Sequence, residues 1–406
     1  MNRDLALLAL AQGLFLVNNV TFIAINGLVG LRLAPTPWLA TLPITAYVAG
    51  AALFATLVGR HQRRFGRRRA FQLGLAMAIV STAVCAAGAV SGSFWVVVCG
   101  TLLAGYYNAN GGLYRFAATE LVPPAKKETA ISWVLAAGIL GAVAGPNLAQ
   151  ATKNVLPGEF SGSYAALAGV ALLGMAVLAW IRFPPLAVPT AAAPGRPLAE
   201  IARQPVFLVA VVGCALGYGV MNLLMAATPL AMQACGLPFA STALVLEWHV
   251  LGMFVPSFFT GHLIRRFGAP RIMACGLVLN LACIAVALSG VALGHFLVAL
   301  FVLGVGWNFL YIGGTTLFTD AYRPEEKTTA QAAMDTTVFS TMAVTSFSSG
   351  ALVTTQGWTW INAGSLLPVA LLATALLLFA RFRRRAGTRT AGIRSDRSRA
   401  GPGATP

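Results

Sequence analysis

The sequence predicts an all-α integral membrane protein, with twelve transmembrane helices in two six-helix bundles related by a pseudo-two-fold axis. Three observations predict it. The composition is too apolar for water, apolar runs recur at membrane-spanning length, and the first half of the chain recurs in the second. Of 406 residues, 58% are hydrophobic and only 10% are charged, and the mean hydropathy is +0.77. Soluble domains carry about 25% charged residues. In water such a chain would expose far more apolar surface than a soluble monomer does. In lipid the apolar faces of its helices can point outward.

A helix needs about 20 apolar residues to cross the hydrocarbon. Segments of that kind lie near 5–31, 38–58, 70–90, 94–118, 130–150 and 161–181, then near 206–233, 240–262, 272–290, 294–318, 330–353 and 358–380. The first run could pass for a signal peptide, because Arg3 precedes it. It continues through Ile25 with no small-residue cleavage site ahead of soluble sequence, so it reads as the first span. Between the sixth and seventh segments lie Pro184, Pro185, Pro189, Pro194 and Pro197. That composition reads as a linker. The expected organisation is a bundle over 1–181, a cytoplasmic linker over 182–205, a second bundle over 206–381 and a tail over 382–406. The tail is basic, Gly-rich and poor in apolar residues, so disorder is expected, with its first arginines meeting anionic lipid.

Charge sets the orientation. With the N-terminus inside, 25 of the 28 lysines and arginines fall on the inner side, Arg32 and Lys153 fall outside, and Arg115 lies within the fourth segment. This positive-inside asymmetry supports an even number of spans with both termini cytoplasmic. The net charge of +17 is therefore a topology signal rather than a nucleic-acid footprint.

The internal repeat has an offset of 202 residues: Arg63-Arg64-Phe65-Gly66 recurs as Arg265-Arg266-Phe267-Gly268. Gly59 recurs as Gly261, Arg69 as Arg271, and Gly111-Gly112 as Gly313-Gly314. Both RRFG elements follow the second segment of their half. Two halves of the same orientation imply an axis along the membrane normal and a solute path between them.

These residues resemble the major facilitator superfamily over roughly residues 1–381. The family's signature between helices 2 and 3 reads G-x-L-a-D-R-x-G-R-R. Here the stretch runs from Gly59 through Arg63, Arg64, Gly66 and Arg67 to Arg68. Arg63 stands at the family's aspartate and Arg265 does so in the second half; Thr101 stands where the family places an arginine in helix 4. Gly141, Gly145 and Pro146 resemble a helix 5 element associated with exporters that exchange solute for protons, although Ala149 and Gln150 replace its final glycines. Small residues every four positions also serve plain helix packing, and the proline kinks the helix.

The resemblance implies a cavity lined by helices 1, 4, 7 and 10. Its candidates are Asn18, Asn19 and Asn26; Tyr107, Asn108, Asn110 and Arg115; Tyr218 and Asn222; and Trp307, Asn308 and Tyr311. Amides in lipid need partners, so these should face the interior. Uncharged amides and aromatics suit a neutral or amphipathic solute.

Intramembrane carboxylates are costly and need a reason. Glu247 and Asp335 are the two within spans, and they are the proton-coupling candidates, with His249 beside Glu247. The resemblance also implies a cytoplasmic latch, here with reversed polarity. Arg63 or Arg64 would face Glu325, Glu326 or Asp335, and Arg265 or Arg266 would face Glu120 or Glu128, with Gly59, Arg67 and Gly268 in the same loops. The alternative is loose positive-inside charge beside solvated acids.

The function expected is secondary active transport across a bacterial inner membrane, as proton-coupled export of a small amphipathic compound. Proton symport or facilitated import of a nutrient is the alternative. An integral-membrane enzyme is remote, because the four histidines are scattered and no nucleophile or metal constellation appears. The six cysteines form no CxxC pair, so no metal or other cofactor is expected. The expected partners are the solute, protons and membrane lipid, with no nucleic acid and a monomeric chain.

Overall fold

The computed structural model describes residues 2–123, 126–184 and 195–399, without the side chains of residues 128, 129, 324, 328 and 384–399. Every regular element among the described residues is a helix. α1 is Arg3–Leu33. Asn2 caps it, its side chain accepting from the Leu5 N–H at 2.8 Å, and Asp4 adds negative charge at the positive end of the helix dipole.

The helix Leu42–Ser91 holds two spans. Its first arm, α2 (42–65), and second arm, α3 (67–91), run in opposite directions against α4, Phe94–Gly111. Gly50 packs on the Leu102 carbonyl and Gln62 bonds Asn110, so α2 ascends alongside α4. Gly74 packs on Asn110 and Gly88 on Val97, so α3 descends it. The reversal falls at Gly66, whose φ of 77° and ψ of 167° lie where a Cβ is strained. Gly268, its repeat partner, has φ 84° and ψ 146°. The repeat read in the sequence is thus a repeat of backbone geometry.

The remaining spans are α5 (Lys127–Ala136 with Gly138–Thr152), α6 (Ser161–Ala179) and α7 (Pro205–Ala234). Then follow α8 (Phe239–Phe254 with Ser257–Phe267), α9 (Ala269–Ser289) and α10 (Leu293–Phe318). The last two are α11 (Lys327–Thr355) and α12 (Gly357–Gly364 with Leu366–Arg399). By length and apolar composition alone, eight helices qualify as spans, or nine with the bent pair 239–267. The expected twelve arise because 42–91 counts twice and because α4 and α11 also traverse the bundle. Composition misses those two: α4 ends in tyrosines and asparagines, and α11 is rich in serine and threonine. The expected linker contains a short helix, Leu198–Ala202; residues 185–194 lie outside the described residues, as do 400–406 of the expected tail. The last helix runs past the boundary expected at 381, to Arg399.

Lipid gives no hydrophobic reward for pairing helices, so close approach of small residues carries the packing. A Cβ on Gly105 would strike the backbone of Gly50 and Ala51, and one on Gly304 would strike the His249 carbonyl. These two contacts join α4 to α2 and α10 to α8, at equivalent places in the two bundles.

Candidate functional site

The two bundles meet at one end. α1 and α7 touch where a Cβ on Gly27 would lie 3.8 Å from Leu230. The Gly350 N–H donates to Thr41 Oγ1 at 3.0 Å, and Trp38 sits edge-on to Phe347 at 5.9 Å. Asn147 on α5 donates to Glu247 on α8 at 3.0 Å. All these residues lie at the end remote from Gly66, Gly268 and the chain start; it is called here the far face, and the other the basic face. Among the described residues, no ion pair joins the bundles directly at the basic face. The cleft between the halves is therefore sealed at the far face.

Helical position decides which residues line that cleft. On α1, Gln12, Leu16, Asn19, Ile23 and Gly27 share one face at spacings of three and four, and Gly27 marks it as the face toward the other bundle. Asn19 donates to Tyr47 Oη at 2.9 Å and to Asn108 Oδ1 at 3.5 Å. Gln12 Oε1 is buried with no partner. On the opposite side, α10 presents an aromatic wall. Trp307 and Tyr311, one turn apart, stack at 5.1 Å and 9°. Tyr218 of α7 sets its edge against both, at 5.2 and 5.5 Å. Phe254 borders Trp307 at 6.3 Å and reaches toward Gly138 of the other half. The Trp307 indole N–H is buried and unpartnered.

Arg115, in the short helix Tyr114–Ala118 after α4, faces this wall across the cleft. Its guanidinium lies within electrostatic reach of Tyr218, Tyr311 and Asp335, and its Nε has no partner. Ser346, one turn below Gly350 on α11, is likewise buried without a partner. A cation, an amide, an indole N–H and a hydroxyl thus have unmet hydrogen-bonding capacity. In a water-excluding cleft such groups are costly unless a ligand or water completes them. A planar solute with carbonyl and N–H edges would stack on the rings, accept from the cation, indole and hydroxyl, and donate to the amide oxygen.

Other expected cavity residues serve the bundles instead. Asn26 donates to the Phe22 carbonyl at 2.9 Å and accepts from Tyr164 at 2.6 Å. Asn110 donates to the Tyr106 carbonyl at 3.1 Å while accepting from Gln62 at 3.1 Å. Asn308 donates to the Met253 carbonyl and to Ser257, and accepts from Thr260, each at 2.7 Å. Asn222 ties α7 to α11 through Met342 and Thr345, at 3.0 and 3.1 Å. Tyr107 packs against Phe15 inside the first bundle, at 5.3 Å. Asn18 is nine residues from Gly27, two and a half turns round, so it points away from the cleft. The span alone puts each of these in a cavity-lining helix, but its face of the helix turns it into a bundle.

The titratable candidates separate too. Glu247 is half-buried on the seam, bonded to Asn147 as described. Asp335 is half-buried and faces Arg115. His249 is fully buried, with Nδ1 2.6 Å from the Leu300 carbonyl, and holds α8 to α10.

The basic face carries ion pairs other than those expected. Glu120 pairs with Arg67 at 2.6 Å inside the first bundle. Glu326 takes Arg196 of the linker, with Nε–Oε1 at 2.7 Å and Nη2–Oε2 at 2.8 Å. The backbone N–H groups of Arg196 and Arg323 complete it, at 3.0 and 2.9 Å. These hydrogen bonds hold the Glu326 carboxyl down at about 2. Arg63, Arg64, Arg265, Arg266 and Glu325 are exposed. Arg64 and Arg266 each lie over the next phenylalanine, at 5.4 and 5.3 Å. Gly59 packs only near Arg63, and the side chain of Glu128 lies outside the described residues. Sequence reasoning missed Gln12, Tyr47, Phe254, Ser346 and Arg196. Gln12 is a lone amide in an apolar run and could have been found. The others are ordinary residues whose roles come from long-range packing.

The exporter-like element faces inward to its own bundle. A Cβ on Gly141 would lie 2.5 Å from Leu16, and one on Gly145 would lie 3.1 Å from Val20. Thr21 donates to the Gly145 carbonyl at 2.9 Å. Gly141 and Gly145 therefore seat α5 on α1, while Pro146 lies buried inside the helix Gly138–Thr152 and the break in α5 falls at Ala137 rather than at the proline.

Comparison with known proteins agrees with this architecture. The Major Facilitator Superfamily model matches residues 7–256 and again 221–401. Riboflavin transporter RfnT of Brucella anthropi is 40% identical over 379 residues, covering 93% of this chain and 95% of that protein. The uncharacterized MFS-type transporter YddS of Bacillus subtilis is 28% identical over 86% of this chain and 84% of its own. Among solved structures, a bacterial homologue of the human lysosomal transporter Spinster, inward-facing and unoccupied, superposes with a TM-score of 0.69 at 14% identity, over 93% of this chain and 96% of its own. A bacterial homologue of the iron transporter ferroportin, outward-facing, gives 0.63 at 16% identity, over 94% of this chain and 100% of its own. The chain is a multi-pass member of the major facilitator superfamily, a transporter of a small-molecule substrate and not an enzyme.

Proposed function

We propose that this protein moves riboflavin, or a closely similar planar heteroaromatic solute, across a bacterial inner membrane by alternating access. The observation that carries the reading is the stacked Trp307–Tyr311 wall with Tyr218 at its edge, facing Arg115 across the cleft. A fused, carbonyl-edged ring system gains from stacking and completes the free Arg115 Nε–H and Trp307 indole N–H. The 40%-identical riboflavin transporter supports the same cargo.

The charge asymmetry supports a cytoplasmic basic face, and on that orientation the cleft in this state is closed to the outside. The helix 5 glycines are used up in seating α5 on α1, which removes the sequence support for export, and uptake is the direction we adopt. Glu247 is the coupling carboxylate on this reading. It sits on the seam, bonded to the opposite half, so its proton and the opening of the far face act on one contact.

The test is uptake of radiolabelled riboflavin by proteoliposomes with and without an imposed pH gradient. Wild type should accumulate riboflavin faster with the outside acidic, and Glu247→Gln should lose that response. Trp307→Ala should lower apparent affinity about tenfold to a hundredfold, since one aromatic stack contributes about 1–3 kcal/mol. Riboflavin uptake no faster than leakage would remove the cargo reading.

A further inference from the structure

A second cavity lies at the far face, outside the seal. Its volume is about 290 Å³, and its lining includes Arg32, Lys153, Glu159 and Phe160 of the first half with Gln233 and Phe239 of the second. That is close to the lower limit of ordinary small-molecule pockets, about 300 Å³. It would hold a fused ring system and leave a flexible chain in water.

Three features make it more than a gap between helices. Phe160 and Phe239, from opposite halves, meet edge to face at 5.0 Å. The Lys153 ammonium lies over both rings, 5.9 and 5.6 Å from their centroids, in reach of cation–π attraction. Phe160 also has φ 65°, the one positive φ among the described residues other than glycine. Its N–H donates to the Lys153 carbonyl at 2.7 Å and holds it there. Glycine would adopt that backbone without a Cβ penalty. A phenylalanine at such a position brings a ring to the seam instead.

Charge narrows the ligand. Arg32 and Lys153 share one carboxylate, Glu159, at 3.6 and 3.5 Å. One positive charge is left over, which disfavours cations and suits carbonyl-rich or anionic groups. The two rings belong to bundles that must separate when the far face opens. Their contact is then lost, and a flat aromatic solute between them would replace it.

We propose that this cavity is an outer docking site, where the planar heteroaromatic solute binds against Phe160 and Phe239 beneath Lys153 and Arg32 before the halves part. The inference rests on the cargo reading above. Equilibrium dialysis of riboflavin against the detergent-purified full chain tests it. Wild type should bind two riboflavins per chain, a tight one and a weaker one. Phe239→Leu, which keeps apolar volume and removes the ring, should abolish the weaker site. Lys153→Gln, a milder change at a partly exposed side chain, should weaken it about fivefold. Trp307→Ala should affect the tight site and leave the weak one. Saturation at one riboflavin, sensitive to Trp307→Ala but indifferent to both outer variants, would overturn the docking site and leave the cargo reading standing. Absence of any riboflavin binding would overturn both.

Discussion

The two halves of this transporter are built on one plan and equipped differently. They turn between their second and third spans at Gly66 and Gly268, with positive φ at both. They set an arginine over a phenylalanine beside each turn. Repeat-related residues Tyr106 and Asn308 both tie their helix to the span beside it. Tyr106 bonds His61 at 2.7 Å and Asn308 bonds Thr260 at 2.7 Å. Three of their differences lie at the cleft. Gly105 in the first half lets α4 meet α2. Its repeat partner is Trp307, which stands in the aromatic wall, and the close approach in the second half is made one turn away by Gly304. Arg115 corresponds to Leu317 and Tyr218 to Leu16. The shared turns hold the fold, and on the proposed reading the unlike residues Trp307, Tyr218 and Arg115 meet the solute. One half offers a cation and amides, the other a flat aromatic surface.

Substitutions on each side of that division should behave differently. The largest effect is expected from Gly105→Leu. The new side chain has no room against the Gly50 and Ala51 backbone, and overpacking costs about 1–3 kcal/mol even where side chains can yield. Thermal unfolding monitored in detergent should show a clear loss of stability, or no recoverable monodisperse protein. Arg115→Ala should leave thermal stability near wild type but weaken riboflavin binding, since it removes a donor from the cleft and, in packing, only its contact over the Phe116 ring at 4.8 Å. A stability loss as large as that of Gly105→Leu would break the division.

Glu326 tests the anchor of the second half at the basic face. Its depressed carboxyl makes its contribution complete above the ordinary carboxylate range; that contribution declines as pH falls below that range and is gone once pH falls through about 2. Glu326→Gln should therefore lower stability measurably at pH 7. Its deficit against wild type should persist to about pH 4 and shrink only under stronger acid. An equal deficit at every pH would assign the effect to packing.

Much of the fold was legible in the sequence because its signals are local. Apolar run length, the RRFG repeat and the Lys/Arg asymmetry each need only neighbouring residues. α4 and α11 were legible among the recurring apolar runs, at 94–118 and 330–353, although their polar residues depress their apolarity. The aromatic wall was legible in part: Trp307, Tyr311 and Tyr218 stood out as large polar aromatics in the expected lining helices. The amides were not separable, because Asn19 in the cleft and Asn26 in the bundle differ only in which face of α1 they occupy. The ion pairs at the basic face were out of reach, since Arg196 comes to Glu326 from 130 residues away. Charge type alone gives many equivalent pairings.

If the halves rock about a cleft that binds the solute, paired spin labels at the two faces should report it. In a variant whose exposed Cys99, Cys235 and Cys275 are replaced, one pair at residues 155 and 291 reports the far face and another at 63 and 265 reports the basic face, all at exposed positions. With riboflavin present, a second population is expected in which the 155–291 distance is longer and the 63–265 distance shorter. Distances that stay fixed, or that change in the same direction at both faces, would contradict it.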